Sequence, residues 1–213
     1  YEKDLPLDGW KLAYSGLDRG DEKLRETLTT VGNGYMGVRG CFECERASYY
    51  HYPGTYLAGI FNRVPTMVHG REIFNNDFVN CPNWLPVEFR IGNSAFVSPL
   101  SMELLSYRQE LDLRRGLLVR TMVCRDAHGL ITRIRSKRLA SMAEPHLCAL
   151  RFELTPVNYQ ARITVRVSLD GNVENQGVPR YSQLSSKHLD LMHAGQSDEG
   201  ICLRVKTNSS GYQ

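Results

Sequence analysis

Gly32-Asn33-Gly34-Tyr35-Met36-Gly37 has the G-x-G-x-x-G spacing of loops that cradle a pyrophosphate. That chemistry needs a preceding strand and a following helix, whose N-terminal amides hold the anion. Here Val38-Arg39-Gly40-Cys41-Phe42 follows, and its β-branched and glycine residues favour a second strand instead. The motif therefore reads as a strand corner in which Asn33 and its glycines fix the turn. No nucleotide or other organic cofactor is expected.

Glu43 and Glu45 stand two apart. On a strand both would point to one side, about 6.5–7 Å apart, which overlaps the roughly 6.5–9.5 Å between the acid and base of an inverting glycosidase. Working carboxylates face each other across the bond they cleave, however, and two neighbours on one strand sit side by side. Glu110 and Asp112 repeat the pattern. Both pairs are expected to be solvated or salt-bridged.

Cys41-Phe42-Glu43-Cys44 is a C-x-x-C, but a structural zinc needs two further ligands at matching spacing. The sequence holds no second C-x-x-C and no H-x3–5-H. The six cysteines are spread along the chain, and Cys124, Cys148 and Cys202 lie in apolar runs where a thiol acts as a small buried hydrophobe. They are expected to be reduced and structural. His188 and His193 would be out of phase on a helix, and no G-x-S-x-G elbow occurs. No metal site and no catalytic residue is expected.

Tyr49, Tyr50, His51, Tyr52 and Tyr56 fall within eight residues, and Trp84 follows. Aromatic faces ringed by hydroxyls and amides suit sugar rings. Packing is the other reading, because Tyr and Trp bury large areas behind a polar tip.

These groups must be positioned by a chain of 213 residues, 42 % hydrophobic and 23 % charged, the composition of an ordinary globular domain. Net charge is 26 − 23 = +3, too small to argue for a nucleic-acid partner. Arg133, Arg135 and Lys137 would share one face of a strand, read as solvated. No apolar run approaches the ~18–20 residues of a membrane helix, and no secretion signal opens the chain. A cytoplasmic location and no membrane contact are expected.

The first thirty or so residues read as irregular, with one helical turn over residues 21–28. Beyond them, β-branched and aromatic clusters alternate with Gly, Pro, Asn and Asp. The clearest hairpin joins residues 116–124 to 130–138 across Asp126-Ala127-His128-Gly129. Further strands are expected over residues 146–154, 162–169 and 201–206, with a weak helix over 185–193. The class is all-β: a large antiparallel β-sandwich of the super-sandwich type with few short helices.

Taken in order, these segments resemble the N-terminal domain of glycoside hydrolase family 65. The matching stretches are ETLTTV running into GNGYMGVRG (residues 26–40), YPGTYLAGIFN (52–62), PNWLPVEFRI (82–91), YRQELDLRRGLLVRT (107–121), RLASMAEPHLCALRFELTP (138–156) and LDGNVENQGVPRY (169–181). Each string alone is weak, and the ordered set is specific.

The resemblance implies that residues 1–213 are one N-terminal β-sandwich domain, cut before its end and leading into a helical (α/α)6 barrel. In this family the catalytic Glu and the phosphate-binding residues belong to that barrel. The implied activity is inverting phosphorolysis or hydrolysis of α-linked glucose disaccharides. No metal or organic cofactor is implied, and inorganic phosphate is co-substrate if the parent is a phosphorylase. The domain would brace the barrel, shape a rim of the sugar pocket and contribute to a homodimer. Rim candidates are Tyr35, Arg39, Tyr52, Tyr56 and Trp84. The alternative is an independent carbohydrate-binding module.

Overall fold

The computed structural model describes residues 9–175 and 184–213, so the end of the stretch 169–181 lies outside the described residues. Among the described residues fourteen strands are joined by turns and by longer loops such as residues 39–54 and 92–102: β1 (Lys11–Ser15), β2 (Val31–Gly32), β3 (Met36–Val38), β4 (Thr55–Leu57), β5 (Phe61–Val68), β6 (Arg71–Phe78), β7 (Val87–Ile91), β8 (Glu103–Asp112), β9 (Leu117–Arg125), β10 (Ile131–Ala140), β11 (Cys148–Pro156), β12 (Ile163–Val167), β13 (Leu189–Ser197) and β14 (Gly200–Thr207). Among the same residues one α-helix, α1 (Glu22–Leu28), interrupts them.

The all-β class and the antiparallel sandwich stand. The backbone is a five-stranded sheet in the order β1-β8-β9-β10-β11, every pair antiparallel. The expected hairpin is β9–β10, closed at Asp126, whose Oδ1 accepts from the backbone N–H of His128 (2.9 Å) and Leu130 (2.8 Å). Across from this sheet lie the small sheets β2-β3-β4 and β7-β12, while β5-β6 and β13-β14 stand as separate hairpins.

Alternation along the central strands decides which side chains meet. Leu118, Met122, Cys124 and Ile134 point inward with Arg120 and Arg138 between them. Phe42, Phe89, Tyr107 and Met122 fill one core, and Val31, Val38, Cys41, Leu85, Leu111 and Leu118 a second. Each such Phe or Leu side chain contributes roughly 1.5–3 kcal/mol by leaving water.

Three expectations need correction. The opening segment is not irregular throughout, because β1 pairs with β8 from Lys11↔Asp112 to Ser15↔Arg108. Residues 185–193 are not helical: the chain runs extended and enters β13 at Leu189. Its hydrogen bonds go to β14 rather than along a helix. Cys202 is exposed on β14, whereas Cys124 is buried and Cys148 half-buried; all six thiols are free. Among the described residues no helix is long and apolar enough to cross a membrane.

The helix α1 forms as residues 21–28 suggest. Its four-residue spacing puts the Glu22 and Glu26 carboxylates on one face, and both are buried. Thr29 ends it, with Oγ1 donating to the Arg25 carbonyl at 2.7 Å.

Candidate functional site

The loop that follows the glycine motif is stitched to the central sheet by two buried arginines. Arg120 reaches in from β9: Nη1 pairs with the Glu43 carboxylate, Nη2 donates to the Gly40 carbonyl (2.9 Å), and Nε donates to the Tyr107 hydroxyl (3.1 Å). Arg138 on β10 donates to the carbonyls of Arg39 (3.2 Å) and Cys41 (3.1 Å). Burial pushes the Glu43 carboxyl up, but Arg120 and Arg138 outweigh it and hold the group below its ordinary range.

Glu43 is therefore salt-bridged, as expected, but it sits in the loop between β3 and β4 and not on a strand. Glu45 instead accepts from Ser98 Oγ at 2.8 Å. Glu110 is paired with Lys11 (3.0 Å), and Asp112 with Arg115 (3.8 Å). None of these carboxylates faces another across an open site.

The glycine motif is a strand corner. Asn33 Oδ1 accepts from the backbone N–H of Tyr35 (3.1 Å) and Met36 (2.9 Å), and Gly34 takes φ = +85°. Asn33 Nδ2 also donates to the carbonyls of Ser141 (2.6 Å) and Pro145 (3.0 Å), so the turn is tied to the loop between β10 and β11. His146 from that loop meets the Tyr35 ring edge-on, with centroids 4.4 Å apart.

The corner opens onto a cleft of about 430 Å3, walled by Tyr35, Met36, Arg39, Tyr56 and Phe78. Its size lies within the range of small-molecule sites. Tyr56 stacks on Phe78 (5.2 Å), and its hydroxyl bonds the Tyr52 hydroxyl (2.9 Å). Burial and the neighbouring Tyr52 push the Tyr56 phenol far up, so it stays neutral.

Arg39 lies over the Tyr52 ring at 5.0 Å. Its nitrogens donate to Tyr52 O (2.9 Å), Thr27 Oγ1 (2.8 Å) and Lys23 O (2.9 Å). Gly54 permits this packing: a Cβ there would stand 2.6 Å from Arg39 Cδ and 2.7 Å from Tyr56 Cε2.

Of the five rim candidates, Tyr35, Arg39 and Tyr56 line the cleft and Tyr52 holds Tyr56 from behind. Trp84 packs elsewhere, against the core around Val31, Leu85 and Leu118. Tyr49 and Tyr50 are exposed and stack on each other.

Sequence reasoning missed the anchor behind the cleft. The buried Glu26 carboxylate takes a hydrogen bond from His51 Nδ1 (2.8 Å) and one from the Tyr52 backbone N–H (2.9 Å). Cys41 joins the group, with its donor atom within 4.8 Å of the others. Burial raises the Glu26 carboxyl, but bonds from His51, Tyr52 and Cys41 outweigh it and leave the group low. These polar atoms are spent on one another and position Tyr52. No local signal links Glu26 to a partner twenty-five residues away.

The described residues lining the cleft include no carboxyl, imidazole or thiol, so the cleft offers stacking and a guanidinium but no proton-transfer pair. Residues 12–213 match the family described as "Glycosyl hydrolase family 65, N-terminal domain". The chain belongs to that family.

This family 65 domain is 43 % identical over 204 residues to an "Uncharacterized glycosyl hydrolase" of Mycobacterium tuberculosis, covering 96 % of the chain and 15 % of the relative. It is 37 % identical over 178 residues to a kojibiose phosphorylase of Caldanaerobacter subterraneus, covering 83 % of the chain and 21 % of that protein. It is 34 % identical over 175 residues to a maltose phosphorylase of Bacillus subtilis, covering 80 % and 23 %.

A solved structure described as "Putative kojibiose phosphorylase from human microbiome" superposes with a TM-score of 0.81 at 18 % identity, covering 96 % of this chain and 26 % of that one. That likeness shows the fold. The chain spans less than a quarter of the length of these three curated relatives.

Proposed function

We propose that this domain is the non-catalytic N-terminal part of an inverting enzyme acting on α-linked glucose disaccharides by phosphorolysis or hydrolysis. It braces the catalytic barrel and lends the Tyr35–Tyr56 cleft to the rim of the sugar site. The observation that carries this reading is the chemistry of the cleft: aromatic walls and a fixed Arg39, with no acid among the described residues that line it to protonate a glycosidic oxygen. The relatives named phosphorylases support the reaction class, and phosphate would be the co-substrate there.

The test is to incubate the chain with maltose, trehalose or kojibiose, with and without phosphate, and assay glucose 1-phosphate and glucose. Release no greater than in buffer is expected. Release above the buffer control overturns the reading.

A further inference from the structure

Asn33-Gly34 is the sequence's only Asn–Gly pair. Such a pair is chemically labile, because glycine has no Cβ to hinder its own backbone nitrogen or to restrict the conformations the reaction needs. The Gly34 nitrogen attacks Asn33 Cγ, and an N–Cγ bond forms as the Cγ–Nδ2 bond breaks. Nδ2 departs as ammonia, carrying the proton that the Gly34 nitrogen loses. Water then opens the resulting succinimide at either carbonyl, leaving aspartate or isoaspartate at position 33. Nothing is oxidised or reduced.

In the folded chain the Asn33 carboxamide is held away from this reaction. Its Oδ1 accepts from the backbone N–H of Tyr35 (3.1 Å) and Met36 (2.9 Å), and its Nδ2 donates to the carbonyls of Ser141 (2.6 Å) and Pro145 (3.0 Å). Those four bonds use both lone pairs and both hydrogens of the group. A nucleophile meets a carboxamide carbon from above its plane, so the group must turn toward the Gly34 nitrogen and give up these bonds.

The two carbonyls that take Nδ2 sit on a loop with its own internal structure. Glu144 N–H donates to Ser141 Oγ (3.0 Å), Leu147 N–H to the Glu144 carbonyl (3.0 Å), and Ser141 N–H to the Leu147 carbonyl (2.9 Å). His146 of the same loop packs edge-on against Tyr35, the residue after the reacting pair.

We propose that Asn33–Gly34 is a deamidation site gated by the loop between β10 and β11, and that modification there releases the loop permanently. While the loop is docked, the carboxamide is fixed and the pair is inert. When the loop lifts, the carboxamide turns and reacts. The aspartate product still accepts from Tyr35 and Met36, but an oxygen stands where Nδ2 donated. An ionised carboxylate has no hydrogen to offer the Ser141 and Pro145 carbonyls, and their oxygens repel it. The tie does not re-form, and the Tyr35 wall of the cleft loses its brace at His146.

The test incubates the chain in mildly alkaline buffer, folded or in guanidinium chloride. Conversion of amide to acid at Asn33 is followed by mass spectrometry of the tryptic peptide 26–39. Asn93, exposed and followed by Ser94, is the internal reference. Relative to it, conversion at Asn33 should be at least about tenfold slower in the folded chain, because it waits on a local opening. His146→Ala should speed the folded reaction severalfold and leave the unfolded rate alone.

Equal normalised rates in the folded and unfolded chain overturn the proposal. A faster folded rate also overturns it, and would mean that the Tyr35 and Met36 N–H groups stabilise the oxyanion forming at Oδ1. An unchanged folded rate in His146→Ala takes the gate away from this loop. The release is read by hydrogen exchange in Asn33→Asp: amides of residues 141–147 should exchange faster than in the wild type, with those of β9 unchanged. Unaltered exchange over 141–147 overturns the release. Faster exchange through β9 as well makes Asn33 a determinant of the whole fold and overturns a local gate.

Discussion

Asn62 and His188, 126 residues apart, share a buried hydrogen bond in which Asn62 Nδ2 donates to His188 Nδ1 at 3.1 Å. An imidazole that accepts at Nδ1 carries its proton on Nε2, here 3.2 Å from Asp77 Oδ2. The neutral ring thus latches the β5–β6 hairpin to the segment entering β13. A protonated ring would set two donors against each other at the Asn62 contact.

The pH dependence follows from that geometry. Burial depresses the His188 pKa below 6.5, and the Asp77 carboxylate only partly opposes it. The unfolded chain therefore binds a proton before the folded chain does, so stability falls as pH drops below about 6.5. Thermal melts from pH 7.5 to 5 should show a falling Tm, and His188→Gln should flatten that slope relative to wild type. Parallel slopes in the two proteins would show that the latch does not titrate.

The buried cluster at Glu43 gives an asymmetric prediction. Glu43 faces two guanidiniums, Arg120 by contact and Arg138 nearby. Removing one partner of a buried pair costs about 3–5 kcal/mol, because the other charge stays behind unpaired. Glu43→Leu strands two arginines, while Arg120→Leu leaves Glu43 with Arg138. Urea denaturation should therefore show the Glu43 variant to be the less stable. The reverse order would mean that Arg138 does not compensate Glu43.

The sequence carried the hairpins well and these arginines poorly, for one physical reason. Along β9 the inward residues Leu118, Met122 and Cys124 alternate with the outward Leu117, Val119 and Val123. Both faces are apolar, so period-2 alternation identifies the strand without choosing its inner side, and nothing in the pattern marks Arg120 as buried. In β13 the failure has another cause. Beyond Leu189 every residue is exposed, so hydrogen bonding to β14 holds the strand with no buried face to leave a pattern. At the site, the tyrosine cluster announced Tyr52 and Tyr56, while the Glu26–His51 anchor depends on a contact that only the fold makes.

The glycine motif can be separated position by position. A Cβ at Gly40 would stand 2.0 Å from Thr29 Oγ1 and 2.9 Å from the Thr29 carbonyl, so Gly40→Ala should cost about 1–3 kcal/mol as an overpacked site. Gly34→Ala should cost about 1 kcal/mol through its φ of +85°. Gly37 has nothing within 4 Å and no positive φ, so Gly37→Ala should be neutral or stabilise by about 0.4–1 kcal/mol. Equal costs at all three, measured by denaturant titration, would contradict the strand-corner reading.

The last prediction separates a rim from an independent sugar-binding module. Sugar recognition joins stacking to a few well-placed polar groups. The cleft has aromatic walls, but the Arg39 nitrogens already serve Tyr52, Thr27 and Lys23, and the Tyr56 hydroxyl is committed to Tyr52. A site with walls and few unspent polar groups gains too little on its own to offset the cost of association. Calorimetric titration of the chain with maltose, trehalose or kojibiose at millimolar concentration should therefore be flat, with or without phosphate. Trp84 packs, partly buried, against the core around Leu85 and Leu118 and does not line the cleft, so its fluorescence should be equally unresponsive. Saturable binding abolished by Tyr56→Ala, with the fold intact by circular dichroism, would instead make the cleft a sugar subsite in its own right and favour the module. Saturable binding insensitive to Tyr56→Ala would place the sugar outside the cleft and remove Tyr35, Arg39 and Tyr56 from the rim.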